Sequence, residues 1–239
     1  MTNTSSFDLQ VASAIHIPYA DQICVQMAES AKLRGTGIAY RSPEYIAQKM
    51  KEGKAIIAFH KKGDWAGFCY IETWSHGQFV ANSGLIVHPD FRKEGLARLI
   101  KKRIFELSRQ LFPQAKIFGL TTGLAVMKIN SELGYQPVTY SELTPDDEFW
   151  SGCQSCVNFD ILTAKQRKNC LCTAMLFDPS LHPEPAEEKS FAEDLKKRYR
   201  LYERWMKFKT FKLSNIRLLR DKKSQQNNSN EEEKPLLDK

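Results

Sequence analysis

Long apolar runs are absent from this sequence of 239 residues. The longest stretches, such as residues 55–59, are far shorter than the roughly 20 apolar residues that a membrane-spanning helix needs. The first ten residues also lack the basic and apolar segments of a secretory signal. These absences predict a chain with no membrane span and a cytoplasmic location.

Most of the chain also lacks a surplus of either charge, although the formal net charge is +7. Residues 1–188 contain 20 basic and 20 acidic side chains, whereas residues 189–223 contain 13 basic and 4 acidic ones. The positive charge therefore belongs to the C-terminal segment. The balanced body gives no indication of specific nucleic-acid binding.

The sequence contains no internal repeat, and its 42% hydrophobic residues suffice for a folded core. Turn residues and apolar spacing predict the order β-α-α-β-β-β-α-β-α-β, followed by a last strand. The predicted elements are strands at 9–16, 55–60, 65–74, 79–87, 116–122, 136–143 and 170–177, and helices at 18–33, 43–51, 96–111 and 124–133. We expect a core at 1–143, an irregular cysteine-bearing insert and last strand of the same domain at 144–178, a linker and basic helix at 179–221, and a disordered tail at 222–239.

The connection between the strand at 79–87 and the helix at 96–111 predicts an anion site. The first amides of a helix have no partner within it, and the helix dipole is positive there. Gly95 and Ala97 leave room for a phosphate to reach the backbone, and Arg92 and Lys93 add positive charge nearby. An ordinary strand-to-helix connection is the alternative.

The run Arg92-x-x-Gly95-x-Ala97, with the strand before it and a later helix ending at Gly134-Tyr135, resembles the GCN5-related N-acetyltransferase (GNAT) superfamily. The resemblance covers residues 8–178 through element order and is sharpest at 83–135. It implies an α/β (α+β) GNAT fold, in which a mixed, mostly antiparallel central sheet is splayed between strands 4 and 5 and flanked by helices.

The resemblance also implies the residues that bind coenzyme A (CoA). Ile86 and Val87, at the end of the fourth strand, would bind pantetheine through their main chain. Gly84 in the same strand is compatible with a bulge that opens the sheet. The pyrophosphate would be bound by the backbone amides of Arg92, Lys93, Gly95, Leu96 and Ala97.

The sequence departs from the superfamily pattern at Asn130. Many members have a tyrosine at this position, four residues before the glycine–aromatic pair, and it is often proposed to protonate the leaving thiolate. Asn130 can donate a hydrogen bond to the cofactor, but it is not an acid. A thiolate whose conjugate acid has a pKa of ~8.5 can leave without full protonation, so activity is not excluded.

The implied chemistry is acyl transfer, in which a neutral amine attacks a thioester and an oxyanion develops. An amide near the end of the strand at 79–87 is the expected oxyanion donor. Glu72 on the adjacent strand is the predicted base, directly or through water, with an ordinary solvent-facing residue as the alternative. His76 and His88 are further candidates, and His88 is expected to be structural because Pro89 follows it.

The acceptor is predicted from the segment between the first two helices, which in GNAT enzymes usually covers the acceptor site. Arg34 and Arg41 flank a glycine turn there and can bind a carboxylate, or they lie on a surface loop. Residues 31–38, 119–135 and 149–172 resemble bacterial GNAT proteins that acylate the α-amine of glutamate in arginine biosynthesis.

The predicted function is therefore transfer of an acetyl or succinyl group, from acetyl-CoA or succinyl-CoA, to a small primary amine such as the α-amine of glutamate. A protein-lysine acetyltransferase and a non-catalytic CoA-binding module are the alternatives. An acceptor assay and removal of the basic tail would distinguish them.

Four of the six cysteines, namely Cys153, Cys156, Cys170 and Cys172, fall within 20 residues. In a chain without a secretory signal, such a cluster indicates metal binding or redox chemistry before disulfides. Two close pairs predict a structural zinc site. Four free buried thiols and a redox pair are the alternatives.

The basic segment carries an apolar stripe at helical spacing, at Phe191, Leu195, Tyr199, Tyr202 and Met206. We expect this helix to pack on its own domain or on a second copy of the chain, which would form a homodimer. An acidic membrane surface, nucleic acid and a partner helix are the alternatives.

Overall fold

A computed structural model describes residues 6–34 and 40–182 of the chain. Its strands are β1 (Phe7–Val11), β2 (Ala55–His60), β3 (Trp65–Trp74), β4 (Phe79–Val87), β5 (Lys116–Thr121), β6 (Gln136–Val138) and β7 (Thr173–Phe177). Its α-helices are α1 (Ala20–Arg34), α2 (Pro43–Lys51), α3 (Leu96–Leu111), α4 (Leu124–Glu132), α5 (Asp147–Ser151) and α6 (Phe159–Ala164). Short 3₁₀ helices lie at Ala14–Tyr19, Ser75–Gly77, Pro89–Phe91, Tyr140–Glu142, Gly152–Ser155 and Pro179–Leu181.

The seven strands form one sheet in the order β1-β2-β3-β4-β5-β7-β6. Every neighbouring pair is antiparallel except β4 and β5, which are parallel. The predicted mixed, mostly antiparallel sheet flanked by helices is therefore confirmed. No helix among the described residues is long and apolar enough to cross a membrane.

Alternation along the central strands gives the sheet two apolar faces. Ile57 and Phe68 face the layer formed by α1 and α2, whereas Ile56, Cys69 and Ile71 face α3. Successive side chains of a strand point to opposite faces, so strands with buried residues on both faces hold a sheet between two helical layers. The cavity described below lies where this sheet opens.

Local sequence explains where the α2 helix begins. The Ser42 hydroxyl accepts a hydrogen bond from the Tyr45 amide at 3.3 Å, and Pro43 occupies the first helical turn. Both residue types are favoured at these positions, since the cap satisfies a free amide and proline has none. The helix start predicted at this point is confirmed, and it places Tyr45 on the turn that faces β3.

Several predicted strand bounds are wrong, and so is the expected irregular structure of the insert. The strand expected at 9–16 ends at Val11, because the His16 ring accepts the Ser13 amide at 3.0 Å and a 3₁₀ helix follows. The strand expected at 136–143 ends at Val138, and the one expected at 170–177 begins at Thr173. The insert, expected to be irregular, contains α5 and α6.

The predictions for the linker, the basic helix and the tail fall on residues 183–239, outside the described residues. The glycine turn between the first two helices, residues 35–39, also lies outside them. These predictions stand as made.

Candidate active site

The sheet opens between β4 and β5. The two strands pair at three positions only, from Phe79–Ala81 on β4 to Lys116–Phe118 on β5, and then separate. A cavity of about 250 Å³ lies in the gap, lined by both strands, by residues of α3 to α6 and by Arg41, which precedes α2. The splay expected between the fourth and fifth strands is therefore present, and it connects the two faces of the sheet.

A bulge at Gly84 shapes this gap. Tyr70 of β3 pairs with Ser83 of β4, but Phe68 pairs with Ile86, so β4 has one extra residue at this point. Gly84 has φ +63°, and a Cβ there would lie 2.3 Å from the Tyr70 ring. Only glycine meets both conditions, so the bulge that the sequence suggested is confirmed.

The turn before α3 presents backbone to the solvent. Lys93 and Gly95 have φ values of 69° and 80°, and a Cβ on Gly95 would meet nothing within 4 Å. Leu96 and Ala97 provide the first amides of α3, which have no partner within a helix. Open space, free amides and the positive end of a 16-residue helix together suit a phosphate.

The amide and the side chain of Arg92 bond to groups of the protein itself, whereas the sequence predicted that they would be available to a phosphate. Its amide already donates to the Pro89 carbonyl at 3.2 Å. Its side chain donates to the Val87 carbonyl at 3.2 Å and to the Ser30 hydroxyl at 3.0 Å. Arg92 thus joins the end of β4 to α1, and Val87 has one main-chain group fewer for a ligand than the sequence predicts. Ile86, also predicted to bind through its main chain, is paired with Phe68.

Glu72 lies inside the cavity wall on β3 and is 3% exposed. Its Oε1 accepts hydrogen bonds from Arg41 Nη2 at 3.0 Å and from the Tyr45 hydroxyl at 2.6 Å. The alternative of an ordinary solvent-facing strand residue is therefore wrong. With Oε1 accepting twice, Oε2 is the oxygen left to meet a substrate amine or a water.

Arg41 faces the same cavity but is already engaged. Nη1 donates to the Tyr40 carbonyl at 3.0 Å, while Nε is buried without a partner among the described residues. Burial alone would lower the pKa of Arg41, but the neighbouring Tyr70 and Glu72 outweigh it and raise the pKa. The guanidinium is thus a fixed cation at the acceptor side. The side chain of Arg34, its predicted companion, lies outside the described residues.

Asn130 on α4 is 1% exposed and lines the opposite wall of the gap. Its Nδ2 lies 3.8 Å from the Met175 sulfur, and its Oδ1 has no partner among the described residues. A buried acceptor without a donor is costly, by about 1–3 kcal/mol. The pantetheine arm of CoA carries amide N–H groups that would supply such a donor, so this wall fits the cofactor.

The two histidines are placed outside the cavity wall. His76 is exposed in the turn between β3 and β4. His88 accepts the Asp90 amide at 3.4 Å, and its ring packs edge-on against Trp65 at 5.8 Å. Neither histidine lines the cavity described above, and the contacts of His88 are those of a structural residue.

All four clustered cysteines are free thiols on the cavity wall. Among the described residues, no three His, Cys, Asp or Glu side chains are placed to hold a metal ion. Burial and the neighbouring thiols raise the pKa of Cys153 to about 11 and that of Cys172 to about 12. The positions of the described side chains therefore do not support a zinc site, which stays a prediction.

The sequence-based set omits Tyr45, which contacts the wall residue Glu72, and Lys101, which lines the cavity. The sequence carries no signal for Tyr45, because its hydroxyl contacts Glu72 only in the folded chain. Lys101 is 2% exposed on α3 and lines the cavity. A signal for it exists, since Ala97, Lys101, Ile104 and Ser108 recur at helical spacing on the inner face of α3.

Tyr45→Phe is expected to lower the free energy of unfolding by about 1.5 kcal/mol, because it removes a hydrogen bond to a carboxylate. Denaturant unfolding measures the change. Tyr19→Phe is the matched control, since Tyr19 is also half-buried and packs on Phe59 at 5.1 Å without a hydroxyl hydrogen bond among the described residues. Equal losses in the two variants would contradict the prediction.

No protein-family model matches the chain, and no curated protein matches its sequence. Solved structures do match. N-acetylglutamate synthase from Neisseria gonorrhoeae, complexed with coenzyme A and N-acetyl-glutamate, is 16% identical with a TM-score of 0.52. The match covers 74% of this chain and 36% of that chain, so this chain spans about a third of the Neisseria protein.

Two further structures match over nearly their whole length. Rv2747 from Mycobacterium tuberculosis, in complex with CoA, is 17% identical with a TM-score of 0.51 over 72% of this chain and 98% of that one. The protein yncA from Salmonella typhimurium, with acetyl-CoA, is 15% identical with a TM-score of 0.51 over 76% and 98%. At these identities the likeness concerns the fold, and the splayed, bulged sheet described above has the fold of the GNAT N-acetyltransferases.

Proposed function

We propose that the protein is an acyl-CoA-dependent N-acyltransferase that acts on a small primary amine. The supporting observation is one continuous cavity. It extends from the opened edge of β4 to the paired side chains of Glu72 and Arg41. A thioester entering from the side of α3 and α4 would thus meet an amine bound beside Glu72 and Arg41.

The chain's own groups suit the parts of acyl-CoA. The amides of Leu96 and Ala97, with the open turn at Gly95, would bind the pyrophosphate. The Asn130 Oδ1 would accept a pantetheine amide. The bulge at Gly84 keeps β4 away from β5, so the pantetheine can lie between them.

Glu72 would take the proton of the acceptor amine, either directly or through one water. Its Oε1 is held by Arg41 and Tyr45, which fixes the carboxylate and leaves Oε2 as the oxygen that would take the proton. The amine nitrogen attacks the thioester carbon, and a main-chain amide of the bulged β4 would stabilise the oxyanion. Fixed donors of this kind act more strongly in a protein site than in bulk water.

The acceptor we propose is the α-amine of an amino acid such as glutamate. A cavity of about 250 Å³ suits a small amine, and Arg41 places a permanent cation at its acceptor end. The matched Neisseria protein is an N-acetylglutamate synthase. With glutamate as acceptor, the enzyme would act in the cytoplasm in arginine biosynthesis.

The test is release of CoA thiol from acetyl-CoA and from succinyl-CoA with each of the twenty amino acids. We expect one amino acid, glutamate first, to accelerate release from one of the donors. Release only with a lysine-containing peptide would favour a protein-lysine acetyltransferase instead. CoA binding without any acceptor-dependent release would favour a non-catalytic module.

A further inference from the structure

Lys101 is a buried lysine at the inner end of the cavity. It lies on α3, is 2% exposed, and has neither a salt bridge nor a hydrogen bond within residues 6–34 and 40–182. Its Nζ lies over the face of the Tyr135 ring, 5.4 Å from the ring centroid. A lysine is seldom fully buried unless it is paired, so a purely structural role leaves it unexplained.

The surroundings of Lys101 are nearly free of charge. Cys69 faces it from β3, and Tyr135 faces it from the segment after α4. Burial lowers the pKa of Lys101, and Cys69 opposes this shift. Burial also raises the pKa of Cys69 to about 11 and raises that of Tyr135, so both are neutral near pH 7.

Neighbouring polar groups do not pair with Lys101, because they are bonded to one another. Asn82 donates to the Ser108 hydroxyl at 2.8 Å and accepts from the Tyr135 hydroxyl at 3.0 Å. Asn82 is also the first residue of β4 beyond its pairing with β5, so it marks the apex of the gap. Lys101 therefore has its amine beside this apex with no acceptor of its own.

We propose that the Lys101 ammonium meets the sulfur of the departing CoA and stabilises the leaving thiolate. The inference rests on the proposed acyl transfer. It assigns to a residue of α3 a task for which Asn130, on the facing helix α4, has neither a charge nor an ionisable proton.

The step balances without any further reactant. The acceptor nitrogen forms a bond to the thioester carbon and loses one proton to Glu72. The carbon–sulfur bond breaks, and its electron pair goes to sulfur, which accepts a hydrogen bond from the Lys101 ammonium. CoA leaves as the thiolate and equilibrates with the thiol in water, Lys101 keeps its proton, and Glu72 releases to water the proton that it took from the amine.

The test uses the full chain and the ultraviolet absorbance of the CoA thiolate, titrated with pH. In the wild type, we expect the thiol of bound CoA to ionise about one pH unit below the free thiol, whose pKa is ~8.5, because a nearby cation favours the thiolate. Lys101→Met should remove this shift. It should also lower kcat about tenfold, because a thiolate is already a fair leaving group.

Lys102→Met is the matched control, since Lys102 is the next residue of α3 and is exposed. Affinity for CoA lacking its sulfur should stay within about twofold in both variants, which shows that the site remains folded. Lys101→Gln gives a second neutral side chain of similar length if the methionine variant unfolds, and the wild-type titration needs no variant.

An unshifted bound thiol in the wild type would overturn the proposal, as would equal thiol titrations in the wild type and Lys101→Met. Either result can occur with acyl transfer intact, so it would leave the proposed function standing. A shifted thiol without any acceptor-dependent turnover would support Lys101 and contradict the acyltransferase instead. A wild type that binds no CoA would overturn both.

Discussion

Glu72→Gln is expected to lower kcat for acyl transfer by about 10²–10³-fold while CoA affinity changes less than about twofold. The amide has the shape of the carboxylate, and its oxygen can still accept from Tyr45 and Arg41. It cannot take a proton from the acceptor amine. The measurement is CoA-thiol release at saturating donor and acceptor, with donor affinity from calorimetry.

Glutamine is preferred to alanine at this position for a structural reason. Glu72 is 3% exposed and forms an ion pair with Arg41 at 3.0 Å. Removing one partner of a buried ion pair leaves the other charge uncompensated, which costs about 3–5 kcal/mol. Alanine would therefore mix a loss of stability with a loss of the base.

Glu52→Gln is the control for the loss of one negative charge. Glu52 is partly exposed at the end of α2 and pairs with Lys54 at 2.9 Å, away from the residues that line the cavity. We expect unchanged kcat in this variant. A Glu72→Gln enzyme with wild-type kcat would show that Glu72 only positions Arg41 and that another group accepts the proton.

Local signals explain why part of the fold could be predicted from sequence. The strands Trp65–Trp74 and Phe79–Val87 have the predicted bounds, since alternating or β-branched residues lie between clear turn residues. The opened sheet was implied by the family resemblance that the motif at Arg92–Ala97 carries, and Gly84 was compatible with it. Glycine inside a strand is unfavourable unless a bulge needs its conformation, so its position carries information.

Contacts between distant segments could not be predicted in the same way. Arg41 was expected to bind a substrate carboxylate, yet its partner in the described structure is Glu72, 31 residues away. Lys101 belongs to a run of basic residues, and the sequence alone does not distinguish this buried lysine from the exposed members of the run. The strand expected at 9–16 was shortened by the buried His16 ring, a contact that depends on packing against Phe59.

Gly84→Ala is expected to lower the free energy of unfolding by about 2–5 kcal/mol and to weaken CoA binding at least tenfold. The added Cβ would lie 2.3 Å from Tyr70 Cε1 and 2.8 Å from Met27 Cε. Met27 can turn aside, but the Tyr70 ring is fully packed, so β4 has to move toward β5. The strand would then close the gap that admits pantetheine.

Gly63→Ala separates the loss of stability caused by backbone strain from the loss caused by the contact of the new Cβ. Gly63 has φ +94°, so alanine there meets the same kind of backbone strain, but nothing lies within 4 Å of the new Cβ. We expect a loss of about 1–2 kcal/mol and unchanged CoA binding. Gly63 and Gly84 share a left-handed backbone but differ in the space around the added Cβ. A larger loss of unfolding free energy at Gly84 therefore measures the contact with Tyr70. Equal losses and equal CoA affinities in the two variants would show that the bulge can be flattened without closing the gap, and the link between bulge and cofactor binding would be wrong.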